Sequence, residues 1–271
     1  MSGAEFDSWC QLLEERAGIV WNVERKSYLE VKLTARMREL GVSNYTHYFQ
    51  QVRDGARGAL EWSWLLDGLT VQETRFFRHL PSFEFVRAYL QQLLWAGQTS
   101  VSLWSVGCST GEEAWSLAMS AADAVCESGR AAEFSVLAND ISRTALSLAR
   151  AGSYPPRRGL QLEAPLRERY LHMKNDGHYG VCESIRSRVC FSRLNILELA
   201  DMPVISMDVI FCQNTLIYFR RWQRRNILNQ LVRRLQPGGV LILGLGEANG
   251  WEHPQLVRVD NDRILAFARK E

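Results

Sequence analysis

Apolar residues in the N-terminal part of the chain recur at helical spacing. Phe6, Trp9, Leu12 and Leu13 share a face with Arg16. Tyr28, Val31, Leu33, Ala35, Met37 and Leu40 form a second set that Gly41 ends. "SNYTHYFQQV" restarts behind a capping residue, and "GALEWSWLLDGL" closes what the spacing predicts to be a small all-helical bundle over residues 5–68. No strand pattern precedes residue 100.

After Ser100 the period changes. "VSLWSVG", "EFSVLAND", "RVCFSRLNI", "MDVIFCQN" and "VLILGLGE" are short β-rich runs, several without polar alternation, as expected of parallel strands covered on both faces. Helical segments intervene at 111–127, 142–151 and 221–235, and this alternation predicts a doubly wound α/β sheet. "QLVRVDNDRILAFAR" reads as two strands around Asn261-Asp262, a hairpin adding an antiparallel strand at the sheet edge. Residues 152–192 fit neither pattern. Tyr154-Pro155-Pro156, a polar helix-like stretch and the turn between Gly177 and Gly180 predict a small inserted antiparallel patch. The expected organisation is a helical domain over 1–70, a linker over 71–99 that contributes to the site, and an α/β domain over 100–271.

Composition narrows the class. Apolar content of 46% and charged content of 23% are ordinary for a soluble globular chain, and a net charge of +2 offers no bulk attraction to nucleic acid or membrane. The six cysteines lack metal-ligand spacing, which predicts reduced thiols and no metal. Without a signal-peptide pattern or a membrane-spanning apolar run, the expected location is cytoplasmic.

Candidate chemistry centres on the turn Gly107-Cys108-Ser109-Thr110-Gly111, which leads into Glu112-Glu113. Small residues after a first strand let backbone approach a ligand closely. A pyrophosphate would be repelled by two carboxylates at a helix start, and no Walker lysine is present. A ligand with a positive or neutral end, such as S-adenosylmethionine, suits the turn better. Ser109-x-x-Glu112 and Thr110-x-x-Glu113 also have capping-box spacing, which accounts equally well for acid in the first turn. Asp140 ends the second strand, where this architecture hydrogen-bonds ribose hydroxyls; alternatively Asp140 or Ser142 only caps the next helix.

Taken together, "LTVQETRFFR" (69–78), "WSVGCSTGEEAWSLAM" (104–119), "NDIS" (139–142), "LNIL" (194–197), "FCQNTLIYF" (211–219) and "LQPGGVLILGLGE" (235–247) closely resemble the bacterial chemotaxis receptor methyltransferases, the CheR family. The segments occur in family order and cover nearly the whole chain. The resemblance implies a Rossmann-like S-adenosylmethionine-dependent methyltransferase sheet with an N-terminal all-helical domain and a small inserted antiparallel β-subdomain. The implied activity is methyl transfer to glutamate side chains of chemoreceptors, with S-adenosylhomocysteine as product. Carried over position by position, the cofactor contacts are Gln72, Thr74, Arg78, Gly107, Glu112, Asp140, the adenine-side pair Asn195 and Ile196, and Gln213 with Asn214. In this reading Glu113 is the cap. Gln72 stands where asparagine is common, and Gln213 where the family often has arginine, so a positive charge is missing there. Phe76 and Phe77 are expected to pack only.

Arg78 and Tyr218 are the implied catalytic pair. A glutamate carboxylate is already ionised near neutral pH, with a reference pKa of about 4.3, so they are expected to orient groups rather than exchange protons. Amine methyltransferases often have a proline-containing [DN]PP[YF] motif where this chain has Asn214-Thr215-Leu216-Ile217, which disfavours nitrogen acceptors. Arg25, Lys26, Lys32, Arg36 and Arg38 suggest a face for acidic receptor methylation helices, although mixed charge also describes an ordinary solvated helix. In some family members the β-subdomain adds a receptor C-terminal peptide to its edge. Neither nucleic acid nor membrane insertion is expected. A cofactor-binding signalling module with little or no transfer is the alternative that Gln213 suggests.

Overall fold

The computed structural model describes residues 1–271. Its first helix, α1 (Gly3–Ala17), starts at Ser2 with a complete capping box to Glu5 and stops at left-handed Gly18. Helices α2 (Lys26–Glu39), α3 (Tyr45–Arg53) and α4 (Gly55–Leu69) complete the bundle. Phe6, Trp9, Leu12 and Leu13 are buried as expected. On α2 the inward stripe is Leu29, Leu33 and Met37, one residue every four. Tyr28, Val31 and Leu40, expected inside, are exposed, because they lie off that stripe on a helix that buries only one narrow face. Arg36 donates from Nε and Nη2 to Glu61 (both 2.8 Å), and the buried Tyr48 hydroxyl donates to the same carboxylate (2.7 Å).

A further helix, α5 (Leu80–Trp95), leads into β1 (Ser100–Val106), α6 (Glu112–Ser128), β2 (Glu133–Asp140) and α7 (Arg143–Ala151). Then comes the insertion: β3 (Ser153–Tyr154), α8 (Pro156–Gly159), α9 (Ala164–Tyr170), β4 (Leu171–Met173), β5 (Tyr179–Val181) and α10 (Glu183–Arg186). Its strands form an antiparallel sheet in the order β3-β5-β4. The chain returns to the main sheet at β6 (Val189–Arg193), earlier than the expected boundary of 192, because residues 189–193 pair in parallel with β2. The remaining elements are β7 (Met207–Cys212), α11 (Arg221–Val232), β8 (Leu235–Leu243), β9 (Leu256–Arg258) and β10 (Leu265–Arg269).

The main sheet has the order β6-β2-β1-β7-β8-β10-β9. Its first five strands are parallel, and β10 runs antiparallel between β8 and β9. Alternate residues feed two cores. Leu103, Val209 and Phe211 face α5 and α6, while Trp104, Ile210 and Cys212 face α11. All six residues of β7 are buried, which is why its sequence shows no alternation. Strand order reverses at β1 and β7, placing a crevice beyond their carboxyl ends. No helix is long and apolar enough to cross a membrane.

The helical bundle is stapled over that crevice. Val20 N donates to the Tyr218 carbonyl (3.0 Å), and Asn195 Nδ2 to the Arg16 carbonyl (2.8 Å). Asp67 receives the hydroxyls of Ser142 (2.6 Å) and Thr144 (2.8 Å).

Candidate active site

The turn after β1 hangs from the end of β2. Gly107 N and Cys108 N both donate to the Asn139 carbonyl (2.9 and 2.8 Å), and Ser109 N donates to Asp140 Oδ2 (2.8 Å). Gly107 has φ +79°, and a Cβ there would lie 2.3 Å from Thr215 Oγ1, so only glycine fits this approach. Three non-glycine residues adopt positive φ: Phe77 (48°), Ser109 (51°) and Asn214 (57°). Ser109 and Asn214 line the crevice, and Phe77 precedes the lining residue Arg78. Such local strain persists where surroundings over-determine it, often at functional sites.

The crevice holds about 1210 Å³ of empty space, its mouth included. Lining it are Gln72, Thr74, Arg78, Gly107, Asp140, Asn195, Ile196, Gln213, Asn214 and Tyr218, drawn from segments far apart in the chain. Phe76 is buried against Tyr154 (5.1 Å between rings) and the half-buried Phe77 packs against Phe83 (5.0 Å), which fixes the backbone on which Arg78 projects. Phe77 N also donates to Ser116 Oγ (3.0 Å).

Glu112 is the exception. Its side chain is fully buried away from the crevice, paired with Arg158 on α8 and receiving Thr110 Oγ1 (2.6 Å). The neighbouring Glu113 faces the crevice instead, accepting from Ser105 Oγ (2.6 Å). Consecutive helical residues point about 100° apart, so two adjacent acids cannot share one ligand face. Neither capping box forms: Gly111 is the N-cap with no side-chain bond, and Ser109 Oγ has no partner. The roles assigned to the two acids from sequence are therefore reversed in orientation.

Electrostatics at the site are set by burial. It raises the Glu113 pKa to about 8, against the Ser105 hydrogen bond. It also raises Asp140, opposed by backbone N–H groups from Ser142 and Ser109. The Tyr218 phenol is raised by burial and pulled back by Arg78, so it remains a donor at neutral pH. Glu247, unassigned from sequence, accepts from Gly244 N (2.7 Å), Leu216 N (2.8 Å) and Asn214 N (3.1 Å) and so shapes the turn after β7. Ile19, Trp21 and Arg25 of the bundle also line the crevice, with Arg25 stacked on Trp21 at 4.6 Å. Only tertiary docking brings these three there.

Trp21 Nε1, Ser109 Oγ and Asn139 Nδ2 are buried, line the crevice and have no protein partner. Buried polar groups are normally satisfied, so this wall suits a ligand rich in hydroxyl, amino and ring-nitrogen groups. Glu113, Asp140 and Arg78 on the same wall suit one that also carries both an ammonium and a carboxylate. S-adenosylmethionine fits that description.

The CheR methyltransferase SAM binding domain matches residues 72–262, and the CheR methyltransferase all-alpha domain matches residues 4–70. Chemotaxis protein methyltransferase 1 of Pseudomonas aeruginosa is 32% identical over 265 residues, covering 95% of each chain. The chemotaxis protein methyltransferase of Escherichia coli is 32% identical over 251 residues, 91% of this chain and 85% of its own. That of Borreliella burgdorferi is 27% identical over 248 residues, 90% of this chain and 87% of its own. The site at the switch point thus lies in a chain matched by this family over residues 4–70 and 72–262: the chain belongs to the CheR methyltransferase family.

Proposed function

We propose that this chain transfers a methyl group from S-adenosylmethionine to glutamate carboxylates of chemoreceptors, forming methyl esters and leaving S-adenosylhomocysteine. The observation that carries this reading is the convergence of Arg78, Tyr218, Glu113 and Asp140 on one crevice at the switch point. The bound cofactor supplies an electrophilic methyl group on a sulfonium. A carboxylate acceptor needs no general base. The protein's task is alignment, which can lower the barrier by several kcal/mol.

In this reading Asp140 takes the ribose hydroxyls, Asn195 and Ile196 border the adenine, and Gln72, Thr74, Gly107 and Asn214 complete the cofactor wall. Glu113 takes the ammonium side in place of Glu112. The Tyr218 phenol donates to an acceptor carboxylate oxygen, and Arg78 donates to the cofactor carboxylate beside it. The bundle excludes water through Trp21 and Ile19, which favours a reaction in which opposite charges cancel.

The acceptor helix docks on α2 in this proposal. Exposed Tyr28 and Val31 lie there beside Lys32 and Arg38, whereas Arg36 is spent on Glu61 and Glu39. Edge strand β4, paired only with β5 and carrying exposed His172 and Met173, is suited to receive an extended receptor-tail peptide. Incubation with methyl-labelled cofactor and receptor-bearing membranes is expected to give base-labile label on the receptor. Base-stable label, or none on a cognate receptor, overturns the proposal.

A further inference from the structure

Position 213 carries glutamine where the family resemblance leads one to expect arginine, and its surroundings decide what that amide presents. Gln213 Nε2 donates to the Leu243 carbonyl (3.1 Å) and to Ser82 Oγ (2.9 Å). A backbone carbonyl only accepts, so the atom facing Leu243 must be the nitrogen and the amide orientation is settled. Both amide hydrogens are thereby used, while Oε1 makes no hydrogen bond to protein and Gln213 lines the crevice.

Ser82 is itself held in place. It is fully buried at the start of α5, its N–H donates to the His79 carbonyl (2.9 Å), and its Oγ lies 2.9 Å from His79 Nδ1. The Ser82 hydroxyl oxygen carries two lone pairs, so it accepts from Gln213 Nε2 with either tautomer of His79.

Arginine offers only donors and a positive charge. Here the same position offers a lone pair just beyond β7, whose neighbour β1 carries Ser105, the hydrogen-bond partner of Glu113 on α6. Arg78 provides positive charge from the segment before α5. We infer that Ser82 and His79 position Gln213 so that its carbonyl oxygen acts as a neutral acceptor for the α-ammonium end of the cofactor. This inference rests on the cofactor reading above. It makes Ser82 and His79 positioning residues and leaves the cofactor carboxylate to Arg78.

Calorimetric binding of S-adenosylhomocysteine and of its analogue lacking the α-amino group tests this. In the wild type, deleting the amino group is expected to weaken binding by about ten- to hundredfold or more, since hydrogen bonds to charged groups are the strong ones. In Gln213→Leu the ratio between the two ligands should shrink about tenfold, and in Ser82→Ala it should shrink part of the way. Gln213→Arg should weaken S-adenosylhomocysteine while leaving the desamino analogue nearly unaffected. An unchanged ratio in Gln213→Leu, or tighter S-adenosylhomocysteine binding in Gln213→Arg, overturns the inference while the functional reading stands. Failure of the wild type to bind S-adenosylhomocysteine overturns the functional reading and the inference with it.

Discussion

Replacing Arg158 with alanine perturbs the site from behind. Arg158 on α8 pairs with Glu112 and donates to Thr110 Oγ1 (2.9 Å), and Tyr154 Oη donates to the Thr110 carbonyl (2.7 Å). The insertion thereby clamps the glycine turn from the side opposite the crevice. The Glu112 side chain is 0% exposed and that of Arg158 is 27% exposed. Removing one partner of a buried ion pair costs about 3–5 kcal/mol, because the other charge stays buried. Partial exposure of Arg158 lets water enter the space it leaves, which reduces the expected loss to roughly 2–3 kcal/mol. For a chain of this size that corresponds to a fall in Tm of roughly 5–10 °C. Urea titration and thermal unfolding by circular dichroism measure both quantities. The double variant Arg158→Met with Glu112→Gln removes both charges and should recover most of the loss. A single variant within 1 °C or so of the wild type, or a double variant as unstable as the single, would refute a buried charge as the cause.

Other outcomes follow from the same geometry. If Glu113 meets the cofactor ammonium as a carboxylate, its raised pKa of about 8 means binding at pH 7 releases a proton. The heat of S-adenosylhomocysteine binding should then vary with buffer ionisation enthalpy, and this variation should disappear in Glu113→Gln. The same group affects stability. Between its ordinary value of 4.5 and about 8, the folded ligand-free protein holds a proton that the unfolded chain has lost. Stability therefore falls as pH rises through that window, and the decline should be shallower in Glu113→Gln when chemical denaturation is followed from pH 5 to 9. Asp140→Ala and Arg78→Ala should each weaken S-adenosylhomocysteine binding or turnover by about tenfold or more, and unchanged kinetics in both would discredit the site. Gly107→Ala should cost about 1–3 kcal/mol and impair binding, since its φ is +79° and the new methyl would meet Thr215; wild-type Tm and affinity would contradict that close approach.

Much of this protein was legible along the chain because its patterns are local. The switch from a helical period to unbroken apolar runs at Ser100 marks where the bundle gives way to the sheet, since strands covered on both faces need no polar side. The Asn261-Asp262 turn likewise marks the antiparallel edge, where β10 pairs with β8 and β9. Gly107 and Asp140 stood out because a small-residue turn and a strand-end acid fall on successive strands. What spacing did not decide was direction. Which of Glu112 and Glu113 enters the crevice depends on the rotation of α6 against the sheet and on Arg158 arriving from α8, some forty-six residues later. Leu29 rather than Tyr28 or Val31 faces inward because the packing of α2 selects one narrow stripe. Trp21 and Arg25 reach the site only through docking of the bundle. The sequence alone determined the family and most of the elements, though not α5 (Leu80–Trp95) within the expected linker; tertiary packing decided which atom of each side chain faces the ligand, because that choice depends on contacts between residues distant in the chain.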